Sequence, residues 1–189
     1  MVYEDELIAL RRYEEKKQKY YNTKTGMYAG ERLITFKYVP LFDNKVKIML
    51  PDDFEDMEFP IAKKKYSSEE KADIIKTNKE GTVDFTFTLL EGKYSIHELR
   101  QTTDKLKNIL KGVLLSAIFG EKGAFESEIK EGCWFTFQSF SLNGAIYNFL
   151  CISTAGNISI LNMFNCEFEH AGQWKPIFEK VAETIDTYE

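Results

Sequence analysis

The sequence predicts an α+β domain: an antiparallel β-sheet of about six strands sandwiched between helices, with an extra helix at the N-terminus. Three observations carry that expectation. "TVDFTFTLL" alternates apolar and polar residues with a period of two, as a strand with two unlike faces must. "SIHE" sets Ser95 and Glu98 at capping-box spacing ahead of apolar residues that repeat at helical spacing. "FTFQSFSLNGAIYNFLCI", residues 135–152, reads as two strands meeting at Asn143-Gly144, the strongest short-range hairpin signal.

Residues 4–21 read as the first helix. Leu7, Ile8 and Leu10 with Tyr13, Tyr20 and Tyr21 give it a modest apolar face among alternating charges, and "NTKTG" breaks it. Tyr3, Leu7, Leu10, Tyr13 and Tyr20 are the expected partner surface, for a second copy or another protein, with docking back on the chain's own sheet as the alternative. The chain therefore divides into a charged amphipathic helix, 1–22, and a single domain, 23–189. "RLITFKYVP" and "KVKIMLP" read as strands joined by "LFDN" and closed by Pro40 and Pro51, each of which removes a ladder donor. An acidic loop, "DDFEDMEF", comes next. "AKKKY" reads as an edge-like strand, Ser67-Ser68-Glu69 as a turn and 74–77 as a short strand. From Thr82 to Leu90, Val83, Phe85, Phe87 and Leu89 share one face, and Asp84, Thr86 and Thr88 the other.

The capped helix begins after Ser95. Leu99, Leu106, Ile109, Leu110, Val113, Leu114 and Ala117 form its apolar face, and Gly120 is its expected stop. Burying such a face stabilises by roughly 1.5–3 kcal/mol per large side chain, so this helix lies against a sheet. "EKGAFESEIKEG" reads as a connector with one short strand. Three strands follow, at about 133–142, 145–153 and 158–166. In the closing helix, "WKPIFEKVAETI", Trp174, Ile177, Phe178, Val181 and Ile185 make the apolar stripe, and Pro176 is expected in the first turn.

A type I′ turn at Asn143-Gly144 pairs Leu142 with Ala145, Phe140 with Tyr147, Gln138 with Phe149, and Thr136 with Cys151. One face then holds Phe135, Phe137, Ile146, Leu150 and Ile152. The other holds Trp134, Phe140, Leu142, Tyr147 and Phe149, with Thr136, Gln138 and Cys151 among them. Both faces are substantially apolar, so both are expected to be covered. Where that cover thins, a small-ligand groove beside Gln138, Asn148 and Cys151 is the alternative to pure core.

The order of these elements resembles the Mog1/PsbP-like fold. A strand ending in "KIMLPDDFEDM", strands through "IIKTN" and "TVDFTFTLLEG", a long capped helix, a meander and a closing helix carry the similarity over about residues 30–186. The resemblance implies a helix–sheet–helix sandwich. Members of that fold act as binding or assembly factors attached to a GTPase, a photosynthetic complex or a cell envelope. It thus implies a non-catalytic protein-binding or accessory module whose partner is another protein, or a second copy in a homodimer. A small-ligand binder and an enzyme remain the alternatives.

The 189 residues suit one domain, and a formal charge of −5 argues against a broad basic nucleic-acid face. No apolar run near the N-terminus has the length of a signal peptide or membrane span, so the expected location is the cytoplasm, with Cys133, Cys151 and Cys166 as free thiols. No cofactor or metal is expected. Cys166 and His170, four apart, would need further ligands to hold a metal or a supporting signature to act as a nucleophile pair. His97 falls in the first turn of the capped helix, where solvent exposure is expected. The acidic run Asp52, Asp53, Glu55, Asp56 and Glu58 lacks the spacing and central Gly of a calcium loop, and Lys63-Lys64-Lys65 is placed to neutralise it. Phosphate-cradling loops and hydrolase or zinc-protease signatures are absent from the sequence.

Overall fold

The computed structural model describes residues 2–66, 72–141 and 144–188, and side chains from residue 5 onward. Charge order suits the first helix, α1 (Val2–Lys19): acidic residues open it, and Lys16, Lys17 and Lys19 fill its last turn, each sign at the end the dipole favours. The next strands, β1 (Tyr21–Asn22), β2 (Gly26–Ala29) and β3 (Arg32–Ile34), form a small antiparallel sheet. Its first turn is closed by Asn22 Oδ1, which accepts from the Lys24 and Thr25 amides at 2.9 and 3.0 Å. A second small sheet holds β4 (Phe36–Leu41) and β5 (Val46–Pro51), and Phe42, Asp43 and Asn44 turn between them with positive φ. Pro40 sits inside β4 instead of ending it. That strand is the sheet's edge, where a missing donor costs no ladder bond.

After β6 (Glu55–Asp56), "AKKKY" departs from expectation. Most of it belongs to a helix, α2 (Phe59–Lys65), started by Pro60, whose fixed φ suits a first turn. The expected turn at 67–69 lies outside the described residues. Strands β7 (Ile74–Thr77) and β8 (Val83–Leu90) follow as read. Helix α3 (Ile96–Val113) carries the full capping box: Ser95 Oγ accepts from the Glu98 amide, and Glu98 Oε2 accepts from the Ser95 amide at 2.8 Å.

The expected connector is a nine-residue strand, β9 (Ile118–Glu126). Gly120 therefore sits within a strand and does not stop the helix. Its role and that of Gly123 is clearance: an added Cβ would lie 2.6 Å from Thr136 Oγ1 at the first and 2.5 Å from the Trp134 ring at the second. Then come β10 (Lys130–Ser141), β11 (Gly144–Ala155) and β12 (Ile158–Glu167), a single 3₁₀ turn (Phe168–His170), α4 (Ala171–Ala182) and β13 (Asp186–Thr187). Pro176 falls in the second turn of α4, not the first, and denies the Gly172 carbonyl its helical donor.

The main sheet has seven strands, ordered β6-β7-β8-β12-β11-β10-β9, every pair antiparallel; β13, β5 and β4 make the second small sheet. The central hairpin differs from the expected register. Gln138 faces Tyr147, Thr136 faces Phe149 and Ser141 faces Gly144, so the chain reverses one residue earlier, through positions outside the described residues. Each partner moves by two residues, which preserves every side chain's face.

Both faces of the sheet are covered. On one, α4 and the small sheets bury Phe85, Phe87, Phe149, Phe164, Cys151 and Cys166 with Ile48, Leu50, Trp174, Ile177 and Phe178. On the other, α3 lays Leu99, Leu106, Leu110 and Leu114 over Cys133, Phe135, Phe137, Leu150 and Ile152. Ile109 and Val113, expected in that seam, are 60% and 71% exposed because they lie one row round the helix from Leu110 and Leu114.

Candidate functional site

Helix α1 stands apart from these layers. Every side chain from Asp5 to Lys19 is exposed, including Leu7, Leu10 and Tyr13. It meets the body at its C-terminal end: Tyr20, half-buried, sets its ring edge-on to Tyr28 at 5.7 Å, and Lys16 Nζ lies 5.7 Å from the same ring. The side chain of Tyr3 lies outside the description. An 18-residue helix is marginal in water by itself, yet Glu14–Lys17 and Glu15–Lys19 have the spacing of supporting charge pairs. Directly after it, Tyr21-Asn22 pair with β2 and belong to the body.

The three residues expected to line a groove do not converge. Gln138 and Cys151 project to the α4 side, whereas Asn148, opposite Phe137 in the ladder, projects to the α3 side. Cys151 is wholly buried in the larger core. Asn148 is nearly so, and its Nδ2 donates to Ser139 Oγ and to the Phe137 and Ile146 carbonyls, so it is a satisfied structural amide.

Cys166 and His170 also part. Cys166 is 1% exposed in the core, and burial pushes its thiol up to about 12, with the Glu167 charge adding to the effect. Burial raises Cys151 and Cys133 as well. His170 instead lies at the surface beside Glu167 and Glu169, at 3.8 and 3.7 Å, an exposed cluster of the ordinary solvated kind. His97 is exposed and within hydrogen-bond distance of Gln101 at 2.9 Å. Within the acidic run Arg32 pairs with Asp53 and Lys76 with Asp56, and no ion pair among the described residues joins the run to the lysine triplet.

Lys65 of that triplet serves a site that the sequence reading missed. It pairs at 2.6 Å with Asp84, whose carboxylate is completely buried. The same carboxylate accepts from Tyr66 Oη at 2.6 Å and Thr77 Oγ1 at 2.7 Å, while Tyr66 Oη accepts from Asn165 Nδ2 at 3.1 Å. Burial, then the neighbouring Asp84 charge, hold the Tyr66 phenol well above its ordinary range. The network pins the end of α2 to β7, β8 and β12. It satisfies a buried charge.

No family model matches the chain, and no curated protein matches it. Solved structures do. The cyanobacterial PsbP (CyanoP) of Synechocystis sp. PCC 6803 superposes over 86% of this chain and 98% of its own at TM-score 0.59 and 8% identity. The fold is PsbP-like. A Bacteroides thetaiotaomicron VPI-5482 protein aligns at TM-score 0.51 and 15% identity over 81% of this chain; the alignment spans about half of that longer chain, 48%. LpqN of Mycobacterium tuberculosis, involved in cell envelope biogenesis, aligns over 81% of this chain and 90% of its own at 9% identity and TM-score 0.46. Identities this low establish shared architecture alone. Within this PsbP-like chain, no helix among the described residues is long and apolar enough to cross a membrane.

Proposed function

We propose that the protein is a non-catalytic binding or accessory module that presents α1 as its docking helix. The observation that carries this reading is the complete exposure of Asp5–Lys19, Leu7 and Leu10 included, beside a domain whose sheet is already covered on both faces. An amphipathic helix held out on one end of a finished domain is the material of helix-in-groove recognition. Both histidines lie at the surface and all three thiols are buried with raised pKa, which leaves little ready general-base or nucleophile chemistry. The reading sets the protein in the cytoplasm, where unpaired thiols stay reduced.

Charge favours a second copy as the occupant. Residues 2–10 carry Glu4, Asp5 and Glu6. Residues 11–19 carry Arg11, Arg12, Lys16, Lys17 and Lys19 against Glu14 and Glu15. An antiparallel pair of α1 helices sets each acidic half against a basic half. Sedimentation equilibrium of the intact chain and of a chain lacking residues 1–19 tests this. Self-association that weakens with salt and vanishes on truncation supports it. A monomer at every concentration sinks the self-pairing. If partner capture is also equal for the intact and truncated chains, α1 is not the docking element at all.

A further inference from the structure

A cavity of about 320 Å³ opens between α3 and the edge of the main sheet, away from α1 and independent of its role. Arg100, Thr103 and Asp104 line it from the helix, Lys122 and Ala124 from β9, and Cys133 from β10. That volume lies at the small end of known ligand pockets, which pair apolar walls with a few convergent polar groups. Two of its polar groups are left over by the fold. Thr103 is 5% exposed, and its Oγ1 has no hydrogen-bond partner. A hydroxyl in mid-helix ordinarily bonds back to a carbonyl one turn earlier, and leaving it orphaned in the interior carries a cost. Arg100 is exposed and forms no ion pair among the described residues, and it offsets part of the rise that burial gives the Cys133 thiol. The remaining charges at the mouth are Lys122 and Asp104, which pair loosely at 3.4 Å with both side chains more than half exposed.

We propose that this cavity binds a small organic anion: its carboxylate or phosphate is held by Arg100 and Lys122, Thr103 Oγ1 donates to it, and its apolar body lies on Ala124 and Cys133. The cations outnumber the acid. Lys107 and Lys111 extend the positive side: partial burial, then the Lys111 and Lys122 charges, depress the Lys107 ammonium. Asp104 holds Lys122 in place until a ligand anion competes for it. Desolvation keeps Cys133 a neutral thiol, so that wall adds no opposing charge. None of Gln138, Asn148 and Cys151 lines this cavity; its two residues on β10, Cys133 and Trp134, lie near the opposite end of that strand from Gln138, and Trp134 faces Cys151 across the ladder.

Fluorine NMR on the intact chain provides the test, with 4-fluorobenzoate as the anionic probe and 4-fluorobenzyl alcohol as its neutral match. The benzoate line broadens with wild type and the alcohol line does not. Arg100→Gln, a surface change, weakens benzoate binding about tenfold, the scale of a lost charged hydrogen bond. Thr103→Val, nearly isosteric, weakens it severalfold without loss of folding. Failure of wild type to bind the benzoate, equal binding of the alcohol, or benzoate binding untouched by both substitutions would each overturn the proposal.

Discussion

Lys65 and Asp84 show how one residue pair fixes an element. The Asp84 carboxylate has no exposure, so the Lys65 ammonium at 2.6 Å is its only compensating charge among the described residues. Lys65→Met keeps the apolar stem and strands the carboxylate, a change expected to cost about 3 kcal/mol in a urea unfolding experiment. An unchanged midpoint would mean that the tyrosine and threonine hydroxyls suffice. The core thiols make a second prediction, with its sign set by linkage. Cys166 is raised from an ordinary value near 9 to about 12. Its folded pKa thus exceeds the unfolded one, and the stability from the neutral buried thiol is complete below about pH 9 and is lost as pH climbs toward 12. Wild type should lose more stability than Cys166→Ala across that window, measured by urea midpoints at matched pH. Parallel losses would assign alkaline sensitivity to other groups.

Glycine placement explains which elements the sequence announced and which it hid. The box at Ser95 and Glu98, the alternation from Val83 to Leu89 and the two faces of the central hairpin all appear where local pattern puts them, because a single local signal decides each. Strand β9 read as no more than one short strand in a connector because Gly120 and Gly123 lower its strand propensity, and their purpose lies on the neighbouring strand. Gly123→Ala pushes a methyl into the Trp134 ring and should destabilise by about 1–3 kcal/mol, read by thermal or urea unfolding. Neutral behaviour would show that the indole can move aside. "AKKKY" misled because strand and helix are indistinguishable over so few residues; Pro60 was the usable clue. The expected groove failed on parity alone: in an antiparallel pair whose partners sum to an odd number, Asn148 cannot share a face with Gln138 and Cys151. The Asp84 network was beyond sequence reading, since its members come together only when α2, β7, β8 and β12 assemble.

The molecule as a whole is a PsbP-like sandwich with one helix outside it. The core on the α4 side closes without α1: Phe85, Phe149, Phe164 and Phe178 form one aromatic cluster, with ring centroids 4.5–6.3 Å apart. At the C-terminal end of the helix, Lys16 and the following Tyr20 meet Tyr28. A domain finished in this way leaves an exposed, charged amphipathic helix free for association. Hydrogen–deuterium exchange of the intact chain tests that most directly. In dilute solution, amides of residues 6–19 should exchange far faster than those of β11 and β12, and concentration or an added partner should slow α1 alone. Protection of α1 equal to that of the central strands in a dilute monomer would mean that the helix is part of the domain's own core, and the docking account would fall.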